Sequence, residues 1–194
     1  EAAIGGATRL AIGGPGALVA SADATPGGGP SRFALVRVTA ATGELDMAFG
    51  ISGLVDQYVN QSSKPLGGTI AFAMASIRAG SKYKNAMVRL TLDGRPPKDG
   101  KIYTVAVANG RYFGGGMKVA PEARLDDGLF DVVTLGDFNF ADLLLRGLDI
   151  YSGKHVTNPK VTVHRARRIE AAPVPGEDGG TAVLLDVDGE QPGR

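Results

Sequence analysis

Asn109-Gly110-Arg111-Tyr112-Phe113-Gly114-Gly115-Gly116-Met117-Lys118-Val119-Ala120-Pro121 leads, through Glu122-Ala123-Arg124, into Leu125-Asp126-Asp127-Gly128-Leu129-Phe130-Asp131. The strand-like segment from Ile102 to Ala108 feeds the first run, and a second apolar segment, Leu129 to Leu135, leaves the last. Consecutive glycines remove every Cβ, so the backbone can bend sharply and approach a partner closely. The acidic turn beyond them offers carboxylates and carbonyl oxygens in one small volume. Between two strands, such a pair of loops has the makings of a site.

Outward from this centre the pattern is mostly strand and turn. Lys84 to Leu92 alternates and closes on Asp93-Gly94, a hairpin signal, with Lys101 to Val107 as the expected returning strand. Phe33 to Val38, Val161-Thr162-Val163 and Ala182 to Val187 complete the predicted strands. Leu54 to Gln61 reads as a helix ended by Pro65 and Gly67-Gly68. Thr69 to Ala79 reads as another, because Ile70, Met74 and Ile77 recur at i, i+4 and i+7. Phe138 to Leu148 is amphipathic enough for a third. Residues 1–30 are rich in Ala and Gly and are expected to order poorly or to form an atypical segment. No internal repeat occurs. Many short strands with a few helices predict a mainly β (α+β) fold, an antiparallel β-sandwich with inserted helices.

The 194 residues fit one domain with a substantial core, and the formal net charge of +1 gives no global field for nucleic acid. The absence of cysteine excludes disulfides and thiolate metal sites, and suits a reducing cytoplasm. No apolar run is long enough to span a bilayer. The basic cluster Arg165-Arg167-Arg168 is a candidate for phospholipid headgroups, although a solvated strand face is the more frequent fate of such a group. His155 and His164 have no carboxylate or cysteine at metal-ligand spacing and read as structural or surface residues.

Three stretches, taken in order, carry a family likeness: Asn109-Gly110-x-x-x-Gly114-Gly115-Gly116 with Pro121, then Asp126-Asp127-Gly128-Leu129, then Asp188-Gly189-Glu190. Weaker likeness lies upstream in Gly50-Ile51-Ser52-Gly53 and Lys64-Pro65-Leu66-Gly67-Gly68. From about Phe33 onward the chain resembles the bacterial lipid kinases related to diacylglycerol kinase and sphingosine kinase, a superfamily related to NAD kinase. The likeness is to their second domain, which supplies the lipid site and the catalytic acid. The nucleotide signature Gly-Gly-Asp-Gly-Thr of the first domain occurs nowhere here. The resemblance therefore implies that residues 31–194 are a C-terminal lipid-binding and base-supplying domain, without the nucleotide-binding domain and with the last strand cut short. One departure is Asp46-Met47-Ala48-Phe49-Gly50, one residue shorter than the matching strand of relatives, which alters how the chain enters Gly50.

The chemistry follows from those motifs. Asp188 and Glu190 are two apart, so in an extended strand their carboxylates share a face, and Gly189 leaves that face open. Phosphoryl transfer to an alcohol needs a group that accepts the hydroxyl proton. By resemblance Asp188 is that base and Glu190 orients groups or metal beside it; the tripeptide alone reads more readily as a surface turn. The resemblance also implies Mg²⁺ held by the Asp127 carboxylate and by the carbonyl oxygens of Arg124 and Leu129, with water completing an all-oxygen shell. A metal-free Asp-Gly turn is the plain alternative. Gly114, Gly115 and Gly116 either present N–H groups to phosphate or shape the mouth of a lipid pocket, and Asn109 supports that loop. Phe72-Met74-Ile77 and Leu143-Leu144-Leu145 are candidates for the pocket wall or for ordinary core. The implied reaction moves the γ-phosphate of ATP to a lipid hydroxyl, diacylglycerol first and a sphingoid base second. The setting is cytoplasmic, with transient contact to a membrane surface, and a homodimer is left open. A lipid-binding domain without catalysis is the alternative, and a nicotinamide-nucleotide kinase relative fits the motifs less well.

Overall fold

Two antiparallel sheets account for the eleven strands of the described residues. The computed structural model describes residues 7–12, 18–23, 32–39, 47–52, 54–55, 58, 68–112, 116–174 and 185–187. In chain order the strands are β1 (Ala7–Ile12), β2 (Leu18–Asp23), β3 (Arg32–Thr39), β4 (Met47–Gly50), β5 (Ala86–Leu92), β6 (Lys98–Ile102), β7 (Thr104–Ala108), β8 (Phe130–Leu135), β9 (Val161–Ala166), β10 (Arg168–Pro173) and β11 (Leu185–Val187). The helices are α1 (Gly68–Lys82), α2 (Phe140–Arg146) and α3 (Asp149–Ser152), with a 3₁₀ turn at Lys154–Thr157. One sheet has the order β1-β2-β3-β10-β5-β6 and the other β11-β4-β7-β8-β9. The Ala/Gly-rich start, expected to be poorly ordered or atypical, contains the paired strands β1 and β2.

The sheets face each other across one core. Ala86, Val88, Ile102, Ile169 and Ala171 of the first sheet meet Phe49, Val105, Val107, Phe130, Val132 and Ala166 of the second. The second sheet is buried on its other face as well. There Ala106, Ala108, Val133, Leu135 and Val161 lie under Ala75 and Ala79 of α1 and under Val119, Ala120 and Ala123 of the loop that follows the glycines. Two buried faces explain why Thr-Val-Ala-Val-Ala and Phe-Asp-Val-Val-Thr-Leu are nearly continuous apolar runs instead of alternating ones.

Single residues turn the chain from one sheet to the other. β6 pairs with β5 and β7 pairs with β4 and β8, so the stretch read as one returning strand from Lys101 to Val107 is two strands that change sheet at Tyr103. The Tyr103 N–H bonds the carbonyls of Leu135 and Gly136 at 2.9 Å, and its ring meets Tyr83 edge-on. Arg167 makes the equivalent step from β9 to β10, a strand absent from the sequence reading. Its N–H and that of Arg168 both donate to Asp93 Oδ1, at 2.9 and 2.8 Å. Gly50, at φ +115°, is a further constraint: an added Cβ would lie 2.6 Å from the Tyr103 carbonyl oxygen.

α1 corrects the helix stripe. Met74 and Ile77 face solvent, and Ala75 and Ala79 face the sheet, because small side chains let the helix axis come close to β7. Leu144 and Leu145 are exposed too, so neither proposed apolar cluster is core where its side chains are described. Of the helix expected over Leu54 to Gln61, positions 54, 55 and 58 are helical and the rest lie outside the described residues.

Candidate functional site

The register of the second sheet brings the motif-bearing segments to one edge. Met47 of β4 is level with Val187 of β11 on one side and Val107 of β7 on the other. Ala108 of β7 is level with Asp131 of β8, and Phe130 with Ala166 of β9. β11 and β7 therefore run the same way and end together, two strand spacings apart, about 9–10 Å. At this edge the chain leaves β7 into Asn109 and the glycine loop, enters β8 from the acidic turn, and leaves β11 toward Asp188. Asp188, Glu190, Gly114 and Gly115 themselves lie outside the described residues.

The outgoing limb of the glycine loop is fixed by backbone bonds. Asn109 is buried at the end of β7. Gly116 has φ +88°, a conformation that favours glycine. Lys118 N–H then donates to Ile150 O at 2.9 Å and Ala120 N–H to Arg111 O at 3.3 Å. Arg111 returns the contact through Nε, which donates to Ala123 O at 3.1 Å. Between these segments is an open groove of about 610 Å³ lined by Gly110, Arg111, Tyr112, Ala123, Arg124, Leu125 and Asp126. His155 braces the same limb from behind. Its Nε2 lies 2.9 Å from Val119 O, and a carbonyl only accepts, so that nitrogen carries the proton. Burial holds the His155 pKa below the usual histidine value, which keeps the ring neutral.

The acidic turn is built around Asp127. Its Oδ1 accepts the Leu129 N–H at 2.9 Å, closing an Asx turn through Gly128 at φ +68°. Its Oδ2 accepts from Arg165 Nη2. Arg165 also places Nε 3.8 Å from Asp131 Oδ2, its cross-strand partner on β8. Asp131 is 2% exposed and its Oδ2 has no hydrogen bond. Burial pushes its carboxyl up; Arg165 opposes that, and Asp127 and Glu122 add to it. A second cavity of about 300 Å³ lies against Asp131, with Ala120, Pro121, Glu122, Val156 and Val163 around it.

The donor chemistry of this turn suits a hard cation. A largely buried carboxylate and neighbouring carbonyls are all-oxygen ligands, and Mg²⁺ keeps several waters. Among the described residues no group of three or more His, Cys, Asp or Glu side chains is placed to hold a metal, so such a site relies on carbonyls and water. A cation at Asp127 would compete with Arg165 for Oδ2. Sequence reading grouped this arginine with Arg167 and Arg168, as a solvated strand face first and a headgroup cluster second, and missed its tie to the acidic turn. Arg165 instead serves Asp127 and Asp131, and Arg168 pairs with Glu170 of its own strand. The signal available was the position of Arg165 beside an acidic β8, which only the register reveals.

Comparison with known proteins agrees with this architecture. Residues 46–194 match the family described as the YegS C-terminal NAD kinase beta sandwich-like domain. The chain belongs to that family. A diacylglycerol kinase of Mycobacterium tuberculosis is 26% identical over 154 residues, covering 72% of this chain and 50% of that protein. A probable lipid kinase YegS-like of Xanthomonas axonopodis pv. citri is 34% identical over 94 residues, covering 47% of this chain and 28% of that protein. The solved structure of a diacylglycerol kinase from Bacillus anthracis has a TM-score of 0.42 and 16% identity, covering 78% of this chain and 51% of that one. The chain thus spans half the length of the M. tuberculosis relative, and its YegS-type domain is that of a lipid kinase family.

Proposed function

We propose that this chain is the acceptor-binding and base-supplying half of an ATP-dependent lipid kinase, acting on the hydroxyl of diacylglycerol or, second, of a sphingoid lipid. The observation that carries the reading is the common sheet edge, where β7, β8 and β11 present Asn109, the Asp127 turn and the approach to Asp188 together. In this reading Asp188 takes the proton of the lipid hydroxyl as its oxygen attacks the γ-phosphorus, the bond from that phosphorus to the β,γ-bridging oxygen breaks and ADP leaves, and Glu190 orients that reaction. Asn109 and Gly114, Gly115 and Gly116 shape the entry for the acceptor. ATP binds to a nucleotide domain carrying the Gly-Gly-Asp-Gly-Thr signature. Asp127, with the carbonyls of Arg124 and Leu129, would hold Mg²⁺ that stiffens the turn, with Arg165 as its rival for the carboxylate. The protein works in the cytoplasm, peripherally at a membrane.

The test uses labelled ATP and diacylglycerol in mixed micelles. The chain as it stands transfers no phosphate; joined to a nucleotide domain of a relative, it produces labelled phosphatidate. Asp188→Asn in the joined protein lowers kcat by about 10²-fold or more, the range of a general base. An unchanged rate removes Asp188 as base. Absence of turnover in the joined protein, with lipid still bound, supports a lipid-binding domain without catalysis.

A further inference from the structure

The strongest feature that the fold leaves unexplained is the outer face of α2 and α3. Gly147 (φ −59°, ψ −30°) and Leu148 (φ −73°, ψ −17°) both keep helical dihedrals, so the path from Phe140 to Ser152 is nearly one helix. Leu144, Leu145, Leu148 and Tyr151 then recur at i, i+1, i+4 and i+7 and share one face. That face points away from the core: Leu145 is 83% exposed, Leu148 82% and Leu144 58%. Its opposite side is anchored, since Leu143 and Phe140 pack over Gly80 of α1, where an added Cβ would lie 2.5 Å from Leu143 Cδ2. Ile77, one turn before Gly80, and Met74 extend exposed apolar surface onto α1.

The charges carried by these segments are lopsided. α1 and residues 140–160 hold Arg78, Lys82, Arg146, Lys154 and Lys160 against only Asp142 and Asp149. Asp142 is already engaged, by Lys160 Nζ at 2.6 Å and by the Asn139 N–H at 2.9 Å. Outward leucines on segments with an excess of long cationic side chains suit an interface that is apolar within and anionic at its rim. The location adds a reason. Ile150 accepts the Lys118 N–H, and Gly153 abuts Pro121, so α3 is seated on the limb that returns from the glycine loop.

We propose that Leu144, Leu145 and Leu148 form a docking face that inserts into the outer part of an anionic bilayer, with Lys82 and Arg146 meeting its headgroups. The inference deepens the lipid-kinase reading and rests on it for the choice of a bilayer over a protein partner. Docking through α2 and α3 would bring the glycine loop to the surface in which a lipid hydroxyl resides.

The experiment is sedimentation of the full chain with vesicles of phosphatidylglycerol and phosphatidylcholine that contain no diacylglycerol. Expected is binding that weakens at least tenfold in Leu144→Ser/Leu145→Ser/Leu148→Ser and that falls with added salt in the parent chain and less so in Arg146→Glu. Circular dichroism melts check that the triple variant folds; if it does not, Leu145→Ser and Leu148→Ser singly should each weaken binding about threefold. Failure of the parent chain to bind overturns the docking face, as does equal binding by the folded triple variant or by both single variants. A dimer in sedimentation velocity that the substitutions dissolve also overturns it, because a second copy then covers the leucines. Since the vesicles carry no acceptor, a failed kinase assay with intact vesicle binding counts against the catalytic reading alone. Undiminished phosphorylation of vesicle-borne diacylglycerol by a joined protein carrying the three serines counts against the docking face alone.

Discussion

At the scale of single residues, Asp131 is the most consequential side chain that the sequence motifs leave out. It faces the helix-covered side of β8 with Val133 and Leu135, where an apolar residue would be expected, and one of its oxygens has no hydrogen bond. A buried carboxylate of that kind destabilises the fold when ionised, because desolvation favours the neutral form. Its folded pKa is raised, so its contribution to stability is complete below the unfolded value near 3.8 and is lost as pH rises through the folded one. Asp131→Asn removes the titration. The expected outcome is a higher melting temperature than the parent at pH 7, by about 2–4 °C for each kcal/mol regained, with the advantage shrinking as the pH approaches the unfolded value. Thermal melts between pH 7 and pH 4 check this; a variant less stable than the parent at neutral pH would show that the Arg165 ion pair outweighs desolvation.

At the scale of elements, the helices show what a local pattern can and cannot reveal. Phe138 to Leu148 reads correctly as a helix, and its start is written in Asn139 and Asp142. The Asn139 side chain accepts the Asp142 N–H and the Asp142 side chain accepts the Asn139 N–H, both at 2.9 Å, a complete capping box. Asn139→Ala should cost about 1 kcal/mol, measured by denaturant unfolding. It should also weaken vesicle binding, because α2 carries two of the docking leucines; a loss of stability with no change in binding would separate the helix from the docking face. Which side of a helix faces inward was not legible. In α1 the apolar periodicity marks Met74 and Ile77, yet the sheet selects Ala75 and Ala79, whose small size permits close approach. In α2 the leucine run covers more than one face, and only Leu143 turns toward α1. The strands were easier, since β5 and its Asp93-Gly94 turn follow alternation and turn chemistry, both central residues having positive φ. β10 escaped because Arg-Ile-Glu-Ala-Ala-Pro has a weak strand composition, and it forms by filling the place between β3 and β5.

At the scale of the whole molecule, the unequal burial of the two sheets predicts unequal local stability. β7 and β8 are central in the five-stranded sheet, each bonded on both sides, and apolar layers cover both of their faces. β6 sits at an edge of the other sheet, and Lys98, Asp99 and Lys101 face solvent. Local opening is governed by how much packing and hydrogen bonding must be broken together. Amide exchange in β7 and β8 should therefore follow global unfolding, and exchange in β6 should be faster by about 10²-fold, equivalent to ~2.7 kcal/mol of lower opening free energy. This gradient bears on the proposed function: the strands that lead into Asn109 and out of the Asp127 turn would be the most rigid part of the chain, so the loops at their ends would be held by a fixed platform. Hydrogen exchange with mass-spectrometric readout tests it. Equal protection in β6 and β7 would mean that the two sheets open as one unit, and the rigidity of the candidate site would then depend on the whole sandwich instead of its inner strands.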